Sequence, residues 1–410
     1  MAALLLSGGM LLDPLHDQLL GRHDVLLENG QVREVSEKPI KPGKAEVIEL
    51  DGKTIMPGLI DLHVHVMATQ LNLSTQGMLP DALVMLRAVP IMQAMLRRGF
   101  TTVRDAGGAG WGLKTALEEG SVVGPRLFIS GRALSQTGGH GDPRPRSDHL
   151  RPMSFCGCCF RAGDIGRVAD GVDDVIKAVR QELQMGADQI KIMASGGVAS
   201  PTDPIVSWGY SDDEIKAIVH EARARQTYVM AHAYTAEAIA RAVRLGVRTI
   251  EHGNLVDEDA ARVMAEHGAF MVPTLITYEA LANEGAKYGL PQASVDKIES
   301  VRGAGLKALE TLARAGVRMG LGSDLLGESH RLQSDELRIR AQVLGAGATL
   351  QQATLIGAEI LGQGGQLGVL KAGALADVLV VDGDPLADIG CLLGQGDRIE
   401  AIIKDGKRYK

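Results

Sequence analysis

The chain has 410 residues, 45% of them hydrophobic and 51 of them glycine, which suits one large domain with a small companion and many tight turns. A formal net charge of −7, with no basic stripe, argues against a nucleic-acid partner. No run reaches the roughly 18 apolar residues of a membrane span, and four cysteines in so long a chain make no disulfide scaffold, so no membrane partner is expected and the cytoplasm is the default compartment.

The first segment, MAALLLSGGMLLDPLHDQLL, has no basic residue ahead of its leucines and breaks at Gly8-Gly9, so it is not read as a secretory signal. DVLLENGQVREVS follows, with Asn29-Gly30 as a hairpin signature. From residue 58 onward a repeat of pattern sets in: a helix-like stretch ends in glycine and a short apolar run comes at once. It recurs in RRGFTTVRDAG, QMGADQIKIMASGG, RLGVRTIEHGN, EHGAFMVPT and RAGVRMGLGSD. Glycine past a helix end is the usual left-handed cap, and unbroken apolar runs of this length suit parallel strands covered on both faces. Helix starts are marked as well, by the Ser211…Glu214 capping box, by Thr235 and by Asp257. With LFISG at Leu127 and YVMAH at Tyr228, eight strands alternate with helices, which predicts an α/β fold, a (β/α)8 TIM barrel over 58–365. Cys156, Cys158 and Cys159, between the third and fourth strands, read as free thiols on a loop, since structural zinc ligands are more widely spaced. The tail, GVLKAGALADVLVVDGDPL and RIEAIIKDGKRY, returns to short strands. Residues 1–57 and 366–410 are therefore expected to pair into a small β-sandwich domain.

Chemistry in such a barrel collects at the carboxyl ends of the strands. The first strand, PGLIDLHVHV, carries His63 and His65, which strand alternation points to one side. Alone, such a pair is weak evidence, more often a core feature than a metal site. His232 closes VMAHAYT, His252 closes TIEHGN and Asp324 closes LGSD, each a polar residue ending an apolar run. Five such residues at one mouth point to a divalent metal, for which imidazole and carboxylate are fitting ligands. Lys191 lies inside the apolar strand ADQIKIMASGG, where a bare ammonium is badly desolvated. Carboxylation by CO2 converts it to an anion able to bridge two cations. Arg104 and Asp105, in TTVRDAG, read as a structural ion pair.

MPGLIDLHVHV, KIMASGG, the single histidines, GSD and the closing GALADVLVVDGDPL together resemble the amidohydrolase superfamily over nearly the whole chain. TGGHGD, KIMASGGVASPTDP and AHAYT resemble its metal-dependent dipeptidase branch, which includes Xaa-Pro dipeptidases and N-acyl-amino-acid or ochratoxin-type amidases; imidazolonepropionase-like proteins share the framework. The resemblance implies two divalent ions, zinc being the expected metal. His63, His65 and Asp324 would hold one, His232 and His252 the other, and carboxylated Lys191 and a hydroxide would bridge them. Asp324 would act as general base and then acid, Tyr234 would donate to the carbonyl oxygen, and His140 would bind that oxygen or the substrate α-carboxylate. The expected reaction is hydrolysis of an amide in a dipeptide or N-acyl amino acid, a small molecule with a free carboxylate, by a homo-oligomer. Alternatives are a cyclic amide hydrolase or deaminase of the imidazolonepropionase type and a non-catalytic scaffold.

Overall fold

In the computed structural model, which describes residues 3–142, 144, 164–198, 200, 203–289 and 292–410, the two ends of the chain meet in one eight-stranded sheet. Its order is Lys407–Arg408, Ile399–Lys404, Val378–Val381, Thr54–Pro57, Leu4–Asp13, Gln18–Glu28 and Gln31–Ser36, with Glu46–Glu49 also paired to Leu4–Asp13. The join between the ends is the antiparallel pairing of Thr54–Pro57 with Val378–Val381, two strands whose side chains are all buried. Asn29 and Gly30 turn the outer hairpin with φ of 54° and 80°, the pair of positive angles a two-residue type I′ turn requires.

Between the ends the chain is α/β. Leu59–Val64, Phe100–Asp105 and Arg126–Ile129 form a parallel three-stranded sheet. Ala133–Ser135, Gly166–Val168, Ile190–Met193, Val229–Thr235, Thr249–Leu255 and Phe270–Val272 form a parallel six-stranded one. The helices between them start where the sequence marks them. Ser211 and Glu214 complete the capping box of Asp212–Ala224, Thr235 accepts from Ala238 N, and Asp257 accepts from Ala260 N. Helix Ala236–Arg244 buries Ala238, Ile239, Ala242 and Val243 in the same core as Ile192, Ala231, Ile250 and Met271 of the sheet. That packing, more than helix propensity, holds so short a helix.

Two features differ from the sequence reading. Ala133–Ser135 and Gly166–Val168 are additional short parallel strands. The expected eighth strand, around 317–324, is not a regular strand; it makes one bridge, Met319 to Met271. It nevertheless runs between two strands: Gly320 N donates to Met271 O at 2.9 Å, Leu62 N to Leu321 O at 2.8 Å and Asp324 N to His63 O at 2.7 Å. The approach is close enough that a Cβ on Gly322 would lie 2.6 Å from Val272 Cγ1 and 2.9 Å from His63 Cβ. Glycine there admits the contact and weakens regular strand geometry. Cys156, Cys158 and Cys159 lie outside the described residues. Among the described residues no helix is long and apolar enough to cross a membrane.

A fully buried ion pair ties this segment to the next helix. Arg340 Nε donates to Glu336 Oε1 at 2.7 Å, while its other nitrogens reach Gly320 O at 3.0 Å and Pro273 O. Glu336 Oε2 in turn accepts from Ile276 N at 2.7 Å, at the start of helix Leu275–Glu284. Arg340→Met leaves a buried carboxylate without its cation and is expected to destabilise the fold by about 3–5 kcal/mol. The urea midpoint checks this, and an unchanged midpoint would show the pair to be inert.

Candidate active site

The structure places five of the six expected ligand residues in or just past parallel strands and brings Asp324, on the irregular segment after Met319, up to them. His63 belongs to Leu59–Val64 and His65 follows it, Lys191 lies in Ile190–Met193, His232 in Val229–Thr235 and His252 in Thr249–Leu255. The rings touch in sequence: His65 to His63 at 5.4 Å, His63 to His252 at 4.8 Å and His252 to His232 at 4.6 Å between centroids. Asp324 Oδ1 stands 3.5 Å from His63 Nε2 and 3.3 Å from His65 Nε2, and its Oδ2 is 3.8 Å from His252 Nδ1. One donor atom from each of His63, His65 and Asp324 falls within 4.8 Å of the others.

Each imidazole has one nitrogen engaged by an outer partner. His63 Nδ1 meets Glu251 Oε2 at 2.8 Å, His65 Nδ1 meets Gly107 O at 2.9 Å, His252 Nδ1 meets Thr274 Oγ1 at 2.8 Å, and His232 Nε2 meets Gly196 O at 3.1 Å. A carbonyl or carboxylate only accepts, so in His63, His65 and His232 the N–H must sit on the engaged nitrogen and the lone pair on the other, whereas the Thr274 hydroxyl can donate or accept and engages His252 without fixing its tautomer. Burial also opposes charging: it drives His63 and His232 well below the usual imidazole value, and His252 to about 3. His65 is the exception, since Asp324 raises it against the effect of burial. Asp324, conversely, is held below the usual carboxylate range against burial by His65 and His252. Neutral imidazoles with a free lone pair, beside an ionised carboxylate, are what a divalent cation needs.

Lys191 is buried beside these groups without a hydrogen-bond partner among the described residues. It is 1% exposed, and burial pulls its ammonium down to about 8. Among the described residues no hydrogen bond or ion pair reaches its Nζ, although Glu251 and Asp324 lie close enough to attract it. An unpaired buried cation is unfavourable, whereas the neutral amine is the form that takes up CO2.

The expected pairing of Arg104 with Asp105 is not formed. Strand alternation sends the two side chains to opposite faces. Arg104 Nη2 pairs with Glu251 at 2.9 and 3.0 Å, its Nε donates to Leu62 O at 2.7 Å, and Nη1 reaches Tyr228 Oη and Thr249 Oγ1. Asp105 instead accepts from the backbone of Val66, Gly107 and Ala109, shaping the loop whose carbonyl engages His65. Asp61, also buried, accepts from His63 N, Ser323 N, Ser323 Oγ and Gln333 Nε2, and so pins the His63 strand to the turn that carries Asp324.

Two further expected residues are at hand. His140 stacks on His232 at 4.4 Å and lies 3.4 Å from Asp203 Oδ2; a Cβ on Gly197 would fall 2.1 Å from its ring. Tyr234 stacks on His252 at 5.5 Å and meets His232 edge-on at 4.9 Å. Glu251, Asp61, Asp203, Thr274 and Tyr278 were missed by sequence reasoning. For Glu251, its place next to His252 inside an apolar strand was the available signal.

Residues 54–408 match the amidohydrolase family. Ochratoxinase of Aspergillus niger is 32% identical over 367 residues, covering 87% of this chain and 75% of that protein. The crystal structure of an amidohydrolase superposes with a TM-score of 0.98 at 64% identity, covering 100% of this chain and 99% of the other. That of a prolidase complexed with N-methylphosphonate-L-proline does so with 0.97 at 56%, covering both chains fully.

If Glu251 fixes the His63 tautomer, Glu251→Gln should weaken divalent-cation binding by roughly 10–100-fold. Competition with a chromophoric chelator, with the unfolding midpoint measured alongside, checks this. Cation affinity equal to the parent's in a folded variant would remove Glu251 from that role.

Proposed function

The chain belongs to the amidohydrolase family, and we propose that within it the protein cleaves the amide bond of dipeptides or N-acyl amino acids that carry a free carboxylate. The observation that carries this reading is the convergence of four imidazoles, each with one nitrogen engaged, the Asp324 carboxylate and an unpartnered buried lysine. That donor set fits two divalent cations, zinc by ligand type: His63, His65 and Asp324 for one, His232 and His252 for the other, with Lys191 as a carbamate between them. Bound there, the cations would polarise the scissile carbonyl and make water nucleophilic near neutrality. The similarity to a prolidase and to ochratoxinase supports an amide in a small acyl amino acid as the substrate. On the same reading the parallel strands close as a (β/α)8 barrel over 58–365, with the segment around 317–324 completing the circle. Residues 1–57 and 366–410 then form its β-sandwich companion, and the active form is a homo-oligomer.

The protein's own groups divide the remaining work. Asp324 is ionised and faces the imidazoles, so it takes the proton from the attacking water and returns it to the leaving nitrogen. Tyr234 keeps its proton, because burial raises its pKa, and donates to the carbonyl oxygen as it gains negative charge and its carbon becomes tetrahedral. His140, next to the site and paired with Asp203, is the donor for the substrate carboxylate.

Lys191→Ala is expected to lose one or both bound cations and nearly all activity, with partial return of both on adding a short carboxylic acid. Metal analysis and steady-state assay measure this, and two tightly held ions with normal turnover in the variant would sink the binuclear reading. Substrates with a free carboxylate should outperform their C-terminal amides by one to two decades in kcat/KM, the worth of a charge-assisted hydrogen bond of about 1.5–3 kcal/mol. His140→Ala should narrow that gap. Amides cleaved as well as acids by the parent would refute the carboxylate requirement.

A further inference from the structure

Tyr234 does not end the polar chain on its side of the site. Its hydroxyl is 2.9 Å from that of Tyr278, a distance at which one phenol donates to the other. Both rings are almost wholly buried, at 3% and 2% exposure, within an apolar cluster that includes Leu71, Val198, Leu281 and Ile298. Each phenol reaches a neighbouring hydroxyl, Tyr234 that of Tyr278 and Tyr278 also that of Thr274.

Local sequence fixes where Tyr278 stands. Thr274 and Tyr278 are four residues apart at the start of helix Leu275–Glu284, so they share the face that looks toward His252. Thr274 Oγ1 engages His252 Nδ1 at 2.8 Å, which anchors that face to the site. Arg340, bonded to Pro273 O, and Glu336, bonded to Ile276 N, hold the first turn from the other side.

We propose that Tyr278 is a positioning residue for Tyr234: its hydroxyl donates to Tyr234 Oη and thereby leaves the Tyr234 proton free to be aimed at the substrate. A phenol oxygen carries one proton and accepts with its lone pairs. Free to rotate, the Tyr234 proton could turn to Tyr278 and be lost to catalysis; with Tyr278 as donor that direction is taken. The inference rests on the role given to Tyr234 above and adds the residue that directs it.

The test is a double-mutant cycle of Tyr234→Phe and Tyr278→Phe in the metal-replete enzyme. It reads calorimetric affinity for the N-methylphosphonyl analogue of the parent's best substrate, affinity for the free amino-acid product, and kcat and KM. Tyr278→Phe should weaken the tetrahedral analogue and lower kcat by about three- to tenfold, the worth of one neutral hydrogen bond. It should leave KM and product affinity nearly unchanged. Placed on Tyr234→Phe, it should have no further effect on the analogue. Multiplying losses, an equal loss for the product, or parent-like behaviour of Tyr278→Phe would each overturn the proposal. Parent-like behaviour of Tyr234→Phe would instead overturn the role of Tyr234 itself, so the two failures are distinct.

Discussion

Glu251 joins the interior of the molecule to its chemistry. Its carboxylate neutralises Arg104 and accepts from His63, all three side chains being buried. Arg104 also donates to Leu62 O, the carbonyl just before His63 in the same strand. The bonds therefore close a ring from Leu62 through Arg104 and Glu251 to His63. A ring of this kind cannot relax one member without straining the others, so the direction of the His63 lone pair follows from the packing of the interior. The same contacts satisfy an arginine that would otherwise be a bare charge in a dry site.

Two of the non-glycine residues with left-handed backbone angles lie at the same place. His252 has φ of 76° and Asp324 of 52°, values that L residues seldom adopt. The angle at His252 has a purpose. Consecutive strand residues point to opposite faces, yet Glu251 reaches His63 and the next residue, His252, also packs its ring on His63. A left-handed residue at that step lets both turn inward. At Asp324 the unfavourable angle is offset by bonds from its own N–H and that of Ser323 to His63 O, and by Asp61 gripping Ser323.

What was legible in the sequence follows from the range of each signal. His63, His65, His232 and His252 stand out because each is a polar residue in or closing an apolar strand, a pattern contained within about ten residues. The helix caps at Ser211, Thr235 and Asp257 are equally local. The partners that tune these ligands are not local. Glu251 is 188 residues from His63, and Asp61 is 272 from Gln333. The Arg104–Asp105 reading failed for the complementary reason: adjacency in sequence places the two side chains on opposite faces, and the partner of Arg104 is 147 residues away. The eighth strand was visible as a pattern, but its glycines trade regular geometry for close approach to Val272 and His63.

The pattern of outer bonds also sets how far each ligand reaches. His63, His65 and His252 tie Nδ1 and present Nε2, the nitrogen farther from the backbone. His232 does the reverse: Gly196 O engages its Nε2 and leaves Nδ1, the nearer one. Lys191 lies opposite Met230, which shares the face of His232 one step earlier in the strand, so it starts a layer deeper than the histidine beside it. A short ligand at that depth would fall below the plane of the imidazoles. On the proposed binuclear reading, the four-carbon stem of lysine would make up the difference, and a carboxylate carried at its tip would reach both groups of ligands. On the same reading, aspartate or glutamate at position 191 would supply the charge without the reach, which is a geometric reason for a lysine there.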